Sequence, residues 1–328
     1  MTENNNKDST QGNSRAISIK FKDALKGGLL KPILERIKHD KTLMLALRGD
    51  YINIYYRGGN LIKITEQNGR FFGEFDQNYI CPHTQFLKEE IEKLQEIKLD
   101  NDDGVKEWVN AIPKLKLVID IYLGSVKDKH EREFQQLVAR ENNASGISNE
   151  TEYFIADIEY TRPGLKARFD LLAIQWLANK RSNGSNCRLA LIEMKYGDKA
   201  IGGTSGLDKH LKDIGQLFSD NDKKDCLLNE VQLMFDQLRE LGLIRFGTRG
   251  NENKVKLDKS ARPEVIILLA NHNPRSASLM SELEKITDPE NFDLRFFVSS
   301  FAGYGMHTQC MFKLKEFKEL SNIFETNK

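Results

Sequence analysis

The chain has no long hydrophobic run. Its longest uncharged apolar stretches, such as residues 265–270, fall far short of the ~20 residues that span a bilayer, so no membrane segment is expected. Residues 1–14 are rich in Asn, Ser and Asp and contain no apolar core of a secretory signal; a disordered tail is expected over 1–15. Cysteine is scarce. The four present, Cys81, Cys187, Cys226 and Cys310, show no Cys-x-x-Cys spacing and no neighbouring histidine pair. This argues against a disulfide framework and a structural zinc site, and for reduced thiols in a cytoplasmic protein. An excess of one charge is also lacking: 49 basic residues face 48 acidic ones, for a net charge of +1. Many nucleic-acid binders are strongly basic, so any nucleic-acid surface here must be a local patch. No internal repeat is found.

What is present is a polar-surfaced chain of 328 residues, long enough for two domains at roughly 100–200 residues each. Residues 29–40 have the periodicity of a short amphipathic helix, with Leu30, Ile33, Leu34 and Ile37 on one face. Strand-like runs follow at 43–48, 51–57, 61–65 and 69–75, punctuated by the pairs Gly49-Asp50 and Gly58-Gly59 that mark tight turns. Helices are expected over 84–97 and 105–126. Residues 16–126 therefore read as a β-meander with helices, of unknown role. Tyr51, Tyr55, Tyr56 and Arg57 are either a binding surface or ordinary sheet residues.

The second half, 127–328, changes character. A charged helix over 127–142 carries the apolar stripe Phe134, Leu137 and Val138. Strands at 153–160 and 167–177 flank a turn at Arg162-Pro163-Gly164, and a third strand covers 188–195. Helices at about 205–218 and 225–241 follow, then an exposed hairpin or loop at 245–257, a strand at 265–270, a helix at 277–286 and a strand at 294–300. That order predicts an α/β fold with a mixed sheet flanked by helices, not a regular βαβ repeat.

The chemistry concentrates on two of these strands. In Leu189-Ala190-Leu191-Ile192-Glu193-Met194-Lys195, an apolar run covered on both faces ends in a carboxylate and an ammonium, which the two-residue period places on one face. In Arg168-Phe169-Asp170-Leu171-Leu172 an acid likewise stands at the edge of an apolar run. If the two strands pair antiparallel through the 179–186 loop, Asp170 sits beside Glu193. Two buried carboxylates repel and resist desolvation, and a divalent cation relieves both penalties. Oxygen ligands with open water positions suit Mg²⁺, with Mn²⁺ as a substitute. Such an ion activates water and clamps a phosphate oxygen, and Lys195 would offset charge in the transition state. A Glu-x-Lys triplet by itself reads first as a strand-end ion pair, with Asp170 a turn or edge residue.

An acid opening one apolar strand, a linker, Glu-x-Lys closing a second, and helices on both sides form a pattern that resembles the PD-(D/E)xK nuclease superfamily over residues 130 to about 300. The resemblance implies a restriction-endonuclease-like fold. It also implies metal-binding roles for Asp170 and Glu193, a catalytic role for Lys195, and a further metal ligand in the Met194 backbone carbonyl. Phe169 stands where the family often has proline. The implied activity is metal-dependent hydrolysis of phosphodiester bonds, in DNA, by an endonuclease. The alternative is a non-catalytic or partner-dependent nucleic-acid-binding protein, its partner recruited through the N-terminal half; the balanced net charge favours it, since unaided DNA binding rests on phosphate electrostatics.

Supporting residues are sought on the flanking helices. Of Glu131, Glu133 and Gln136 on the helix before the hairpin, Glu133 is the choice for an acid at the metal or lysine, because it adjoins the apolar stripe; the alternative is a solvated charge. Asp157 and Glu159 are either further ligands or edge-strand charges. On the helix after Lys195, His210, Asp213 and Gln216 share one side and either contact substrate or face solvent. Gly202, Gly203 and Gly206 are either a phosphate-contact region or an ordinary loop. Lys180, Arg181, Arg245, Arg249, Lys254 and Lys256 are candidates for a basic rim.

Overall fold

A computed structural model describes residues 14–125, 130–162, 165, 167–197, 201–202, 206–247, 252–270, 277–299, 308 and 311–326. The tail over residues 1–13, and Pro163, Gly164, Gly203 and Arg249, lie outside the described residues. Among the described residues no helix is long and apolar enough to cross a membrane.

The architecture is mixed α/β with two sheets. Helices α1 (Ile19–Lys26) and α2 (Lys31–His39) precede the four-stranded antiparallel meander β1 (Leu43–Leu47), β2 (Tyr51–Tyr56), β3 (Gly59–Gln67) and β4 (Arg70–Glu74). The β2–β3 turn falls on Arg57-Gly58 rather than Gly58-Gly59, because both central residues have φ > 0, 49° and 73°, leaving Gly59 paired with Tyr56. A 3₁₀ segment, Pro82–Leu87, takes the first part of the helix expected at 84–97, and α3 (Lys88–Glu96) the rest. The long helix α4 (Asp102–Ser125) then packs on the meander through Trp108, which is fully buried with its indole N–H on the Ile97 carbonyl.

Helix α5 (His130–Asn143) leads into β5 (Tyr153–Arg162), β6 (Ala167–Gln175) and β7 (Arg188–Tyr196), which pair antiparallel. Helices α6 (Leu207–Ser219) and α7 (Asn221–Glu240) cross over to β8 (Glu264–Ala270), and α8 (Ala277–Leu283) to β9 (Asp293–Ser299), both strands joining in parallel; α9 (Leu314–Thr326) closes the chain. The sheet order is β5-β6-β7-β8-β9. Two elements escaped the periodicity. α1 is short, and α9 follows a stretch without a start signal. Of the 245–257 segment, expected as an exposed hairpin or loop, the described residues 245–247 and 252–257 form no strand, and they bury Phe246, Val255 and Leu257, with Leu257 bridging Cys187.

Alternation along β5–β9 divides the core. One face, including Leu172, Ile174, Leu191 and Ile267, packs against α6 and α7 in an apolar cluster that continues through the meander and α4. The other face, including Leu171, Ala173, Ile192 and Leu268, packs against Val138 and Ala139 of α5 and Ala46 and Tyr55 of the meander. The central strands are thus covered on both sides, which is why they read as continuous apolar runs.

Candidate active site

The β6–β7 ladder runs from Gln175–Arg188 to Leu171–Ile192 and stops there. The next step of that register sets Asp170 opposite Glu193. Beyond the last pair the Asp170 carboxylate takes over from the ladder, its Oδ2 accepting the Met194 N–H at 2.8 Å. The N–H and C=O of a strand residue point to the same side, so the Met194 carbonyl also faces β6, past the end of the pairing. Parity places Asp170, Glu193 and Lys195 on the face of Leu172 and Leu191, toward α6. There Lys195 Nζ donates to Glu193 Oε1 at 2.8 Å, and His210 Nδ1 lies 2.9 Å from the same oxygen. Glu193 and Lys195 are only 4% and 6% exposed, so both charges operate out of bulk water.

Burial and the neighbouring charges of Glu193 and Glu131 push the Asp170 carboxyl well above the usual range, against the Met194 N–H and Lys195. Burial likewise opposes ionisation of Glu193, but hydrogen bonds and charge from His210 and Lys195 outweigh it and hold Glu193 below its ordinary value. Two adjacent acids are therefore driven in opposite directions. A third, Glu131, has its pKa raised by burial and by Glu193, against Lys195 and a hydrogen bond from the Tyr196 backbone N–H. Glu131 is brought to the strand end by Phe134, whose ring stacks on Tyr196 with centroids 4.7 Å apart.

Glu131, not Glu133, is the α5 acid at this site. Glu133 pairs with Arg57 of the β2–β3 turn at 2.6 Å. The two positions are ~200° apart around the helix. The buried side of α5 runs through Asn142, Val138 and Gln135, and one turn further back along it is Glu131. That signal was present in the sequence; the nearer apolar neighbour, Phe134, obscured it. Gln136 is also elsewhere: it accepts the Gly58 N–H and donates to the Thr42 and Tyr55 carbonyls, fastening α5 to the meander. Of the α6 residues, His210 reaches the site, whereas Asp213 and Gln216 are exposed.

The remaining candidates have internal partners. Asp157 stands on the edge strand β5, but not as a solvent-facing charge: it is fully buried on Arg48, whose Nη1 lies 2.6 Å from Oδ1, while Nη2 donates to the Ile158 carbonyl. Glu159 occupies the register position opposite Asp170 on β5, but its left-handed backbone and an ion pair with Arg132 at 2.5 Å engage it separately. Gly202 lies against the Glu282 carboxylate, an unfavourable neighbour for phosphate, and Gly206 precedes α6 without a side-chain cap. In the basic rim, Arg181 is buried on the Ser148 and Thr151 carbonyls, and Lys254 pairs with Glu252; Lys180, Arg245 and Lys256 are exposed. Tyr56 and Arg57 are engaged by Asp120, and Tyr55 is buried.

Among the described residues no group of three or more His, Cys, Asp or Glu side chains forms a metal cage. The donor set that does converge, Asp170, Glu193 and the Met194 carbonyl, is all oxygen. It suits a hard ion that retains several waters, as Mg²⁺ does, and the raised proton affinity of Asp170 marks a place where a cation would relieve repulsion. Comparison of the chain with protein-family models, with curated proteins and with solved structures finds no match.

Proposed function

We propose that the chain is a metal-dependent nuclease of the PD-(D/E)xK type, with a restriction-endonuclease-like arrangement of β5–β9, hydrolysing phosphodiester bonds in DNA. The observation that carries the reading is the convergence of Asp170 and Glu193, at adjoining ends of β6 and β7, with Lys195 on the same face. The strand order supports it: an antiparallel trio extended by two parallel strands, with helices on both faces.

Asp170, Glu193 and the Met194 carbonyl would hold Mg²⁺ or Mn²⁺, which when bound supplies Lewis-acid polarisation of a phosphate oxygen and acidifies a water. Lys195 delivers an ammonium at a fixed point beside these acids, where charge grows on the phosphorane-like oxygens. His210 holds Glu193 from the α6 side and orients it. Glu131 acts as a positioning residue, tying the end of β7 to α5 through the Tyr196 N–H.

Purified protein incubated with plasmid, linear and single-stranded DNA and with RNA tests this. Cleavage is expected with Mg²⁺ or Mn²⁺, none with EDTA, and a loss of about 10²-fold or more in Glu193→Ala and Lys195→Ala. Equal cleavage by wild type and both variants would mean the site is misassigned. A second reading has an observation of its own: the direct Glu193–Lys195–His210 contacts also describe a buried network that only clamps α6 to β7. Under that reading both variants lose thermal stability and no preparation cleaves, as for a non-catalytic nucleic-acid-binding protein.

A further inference from the structure

A cavity of about 330 Å³ lies away from the candidate active site, between α2, β1, α5, β5 and the end of α7. Its volume is at the lower end of small-molecule sites, ~300–1,000 Å³. Among the described residues that line it are four cations, Lys38, Lys41, Arg140 and Arg245, and no acid. In a chain with 49 basic and 48 acidic residues, an acid-free concavity with four cations is a local departure from the balance. Lys38 and Arg140 have partial partners in Glu35 and Glu141, both outside the cavity. Lys41 and Arg245 have no acidic partner among the described residues. The neutral polar side chains of the wall are already engaged: Asn143 is bonded twice to the Ile155 backbone, Ser145 donates to the Glu141 carbonyl, and Asn149 accepts the Gly247 N–H. Lys41 and Arg245 are therefore the groups left for a ligand, with Lys38 and Arg140 beside them in their ion pairs, and together they call for an anion.

The floor has the opposite character. Ile37, Leu45, Phe154 and Leu238, all buried, and the partly buried Met44 and Leu243 line it. A ligand that satisfies both surfaces has a compact apolar body, able to lie against Phe154 and the aliphatic side chains, and a strongly anionic end. Free phosphate leaves the apolar floor wet, and an uncharged nucleoside leaves the cations unmatched.

We propose that this cavity is a mononucleotide-binding site, with the base on the apolar floor and the phosphate among Lys38, Lys41, Arg140 and Arg245. The site is independent of the proposed nuclease chemistry. Helix α5 nevertheless connects the two places: Arg140 at the cavity and Glu131 at the strand end are nine residues apart, or ~14 Å at 1.5 Å per residue.

The test is titration calorimetry of the full chain with AMP, ATP, adenosine and inorganic phosphate, without added divalent metal. AMP or ATP is expected to bind one-to-one, more tightly than either adenosine or phosphate. The double variant Lys41→Glu/Arg245→Glu changes two exposed side chains and is expected to lose about tenfold or more in affinity, with an unchanged circular dichroism spectrum. Glu193→Gln is expected to bind as wild type does. The proposal is overturned if no nucleotide binds at millimolar concentration, or if phosphate alone binds as tightly as AMP. It is equally overturned if the double variant binds normally, or if Glu193→Gln abolishes binding, which would place the nucleotide at the other site.

Discussion

Arg48 places a full positive charge in the seam between the two sheets, where it is 7% exposed, and Asp157 answers it from β5 with no exposure at all. The guanidinium does two jobs there. It pairs with the carboxylate and takes the Ile158 carbonyl, left over where β5 carries the register shift between Ile155 and Asp157. Burial raises the Asp157 carboxyl above its ordinary value and Arg48 opposes that rise, so removing Arg48 leaves desolvation uncompensated. Arg48→Ala is expected to cost about 3–5 kcal/mol in urea unfolding. Arg48→Lys should recover only part of the loss, because one ammonium does not match both acceptors in the guanidinium's geometry. A shift under ~1 kcal/mol for Arg48→Ala would show the pair to be incidental. The sequence offered no route to this contact. Arg48 and Asp157 are 109 positions apart, and an acid inside a strand pattern looks the same whether solvent or a distant arginine meets it.

At the scale of elements, α5 decides which acid reaches the end of β7. Its rotation about its own axis is set by two attachments. Phe134 stacks on Tyr196, and the β2–β3 turn bears on its first turn. At that turn Gly58 has φ 73°, and a Cβ built on it would lie 2.3 Å from the Arg132 backbone carbon. Its N–H also donates to Gln136 Oε1 at 2.6 Å. No side chain fits there without moving the helix. Gly58→Ala is therefore expected to cost at least ~2 kcal/mol, from the left-handed backbone and the clash together. It should also raise hydrogen exchange along the first turns of α5. Wild-type exchange in α5 with unchanged stability would sink this account. Had Gln136 been recognised as the link to the meander, its neighbour Glu133 would have been assigned to that side too. The sequence shows helical period but not which neighbour each side of the helix meets.

Over the whole molecule, the meander and the five-stranded sheet share one apolar cluster, which runs from Phe21 and Trp108 to Phe235 and Leu269. Polar ties cross the same boundary. The Arg15 N–H donates to Glu230, Ile17 exchanges hydrogen bonds with Gln237, and Lys22 pairs with Glu240, so the segment before the meander lies along α7. The expected outcome is a single cooperative unfolding transition, with coincident fluorescence and circular dichroism curves, and a core truncation such as Leu61→Ala should shift both together by about 2–5 kcal/mol. Two separated transitions would contradict the shared core.

The elements that carry the candidate site were legible because their patterns are local. The apolar runs of β6, β7 and β8 are buried on both faces, Glu193 and Lys195 share a face through the two-residue period, and the short 176–187 connection makes β6 and β7 neighbours. Those features put Glu193 and Lys195 on one face and the strand carrying Asp170 alongside, but not the register that sets Asp170 opposite Glu193. Register, helix rotation and long-range charge pairing were decided only in three dimensions. The ladder stops at Leu171–Ile192, so Asp170 caps Met194 instead of continuing the pairing; α5 turns Glu131 rather than Glu133 toward Lys195; and Arg48 neutralises Asp157. Each of these depends on which surfaces are in contact after collapse, and that is fixed by packing between segments far apart in the chain, not by the period of any one of them.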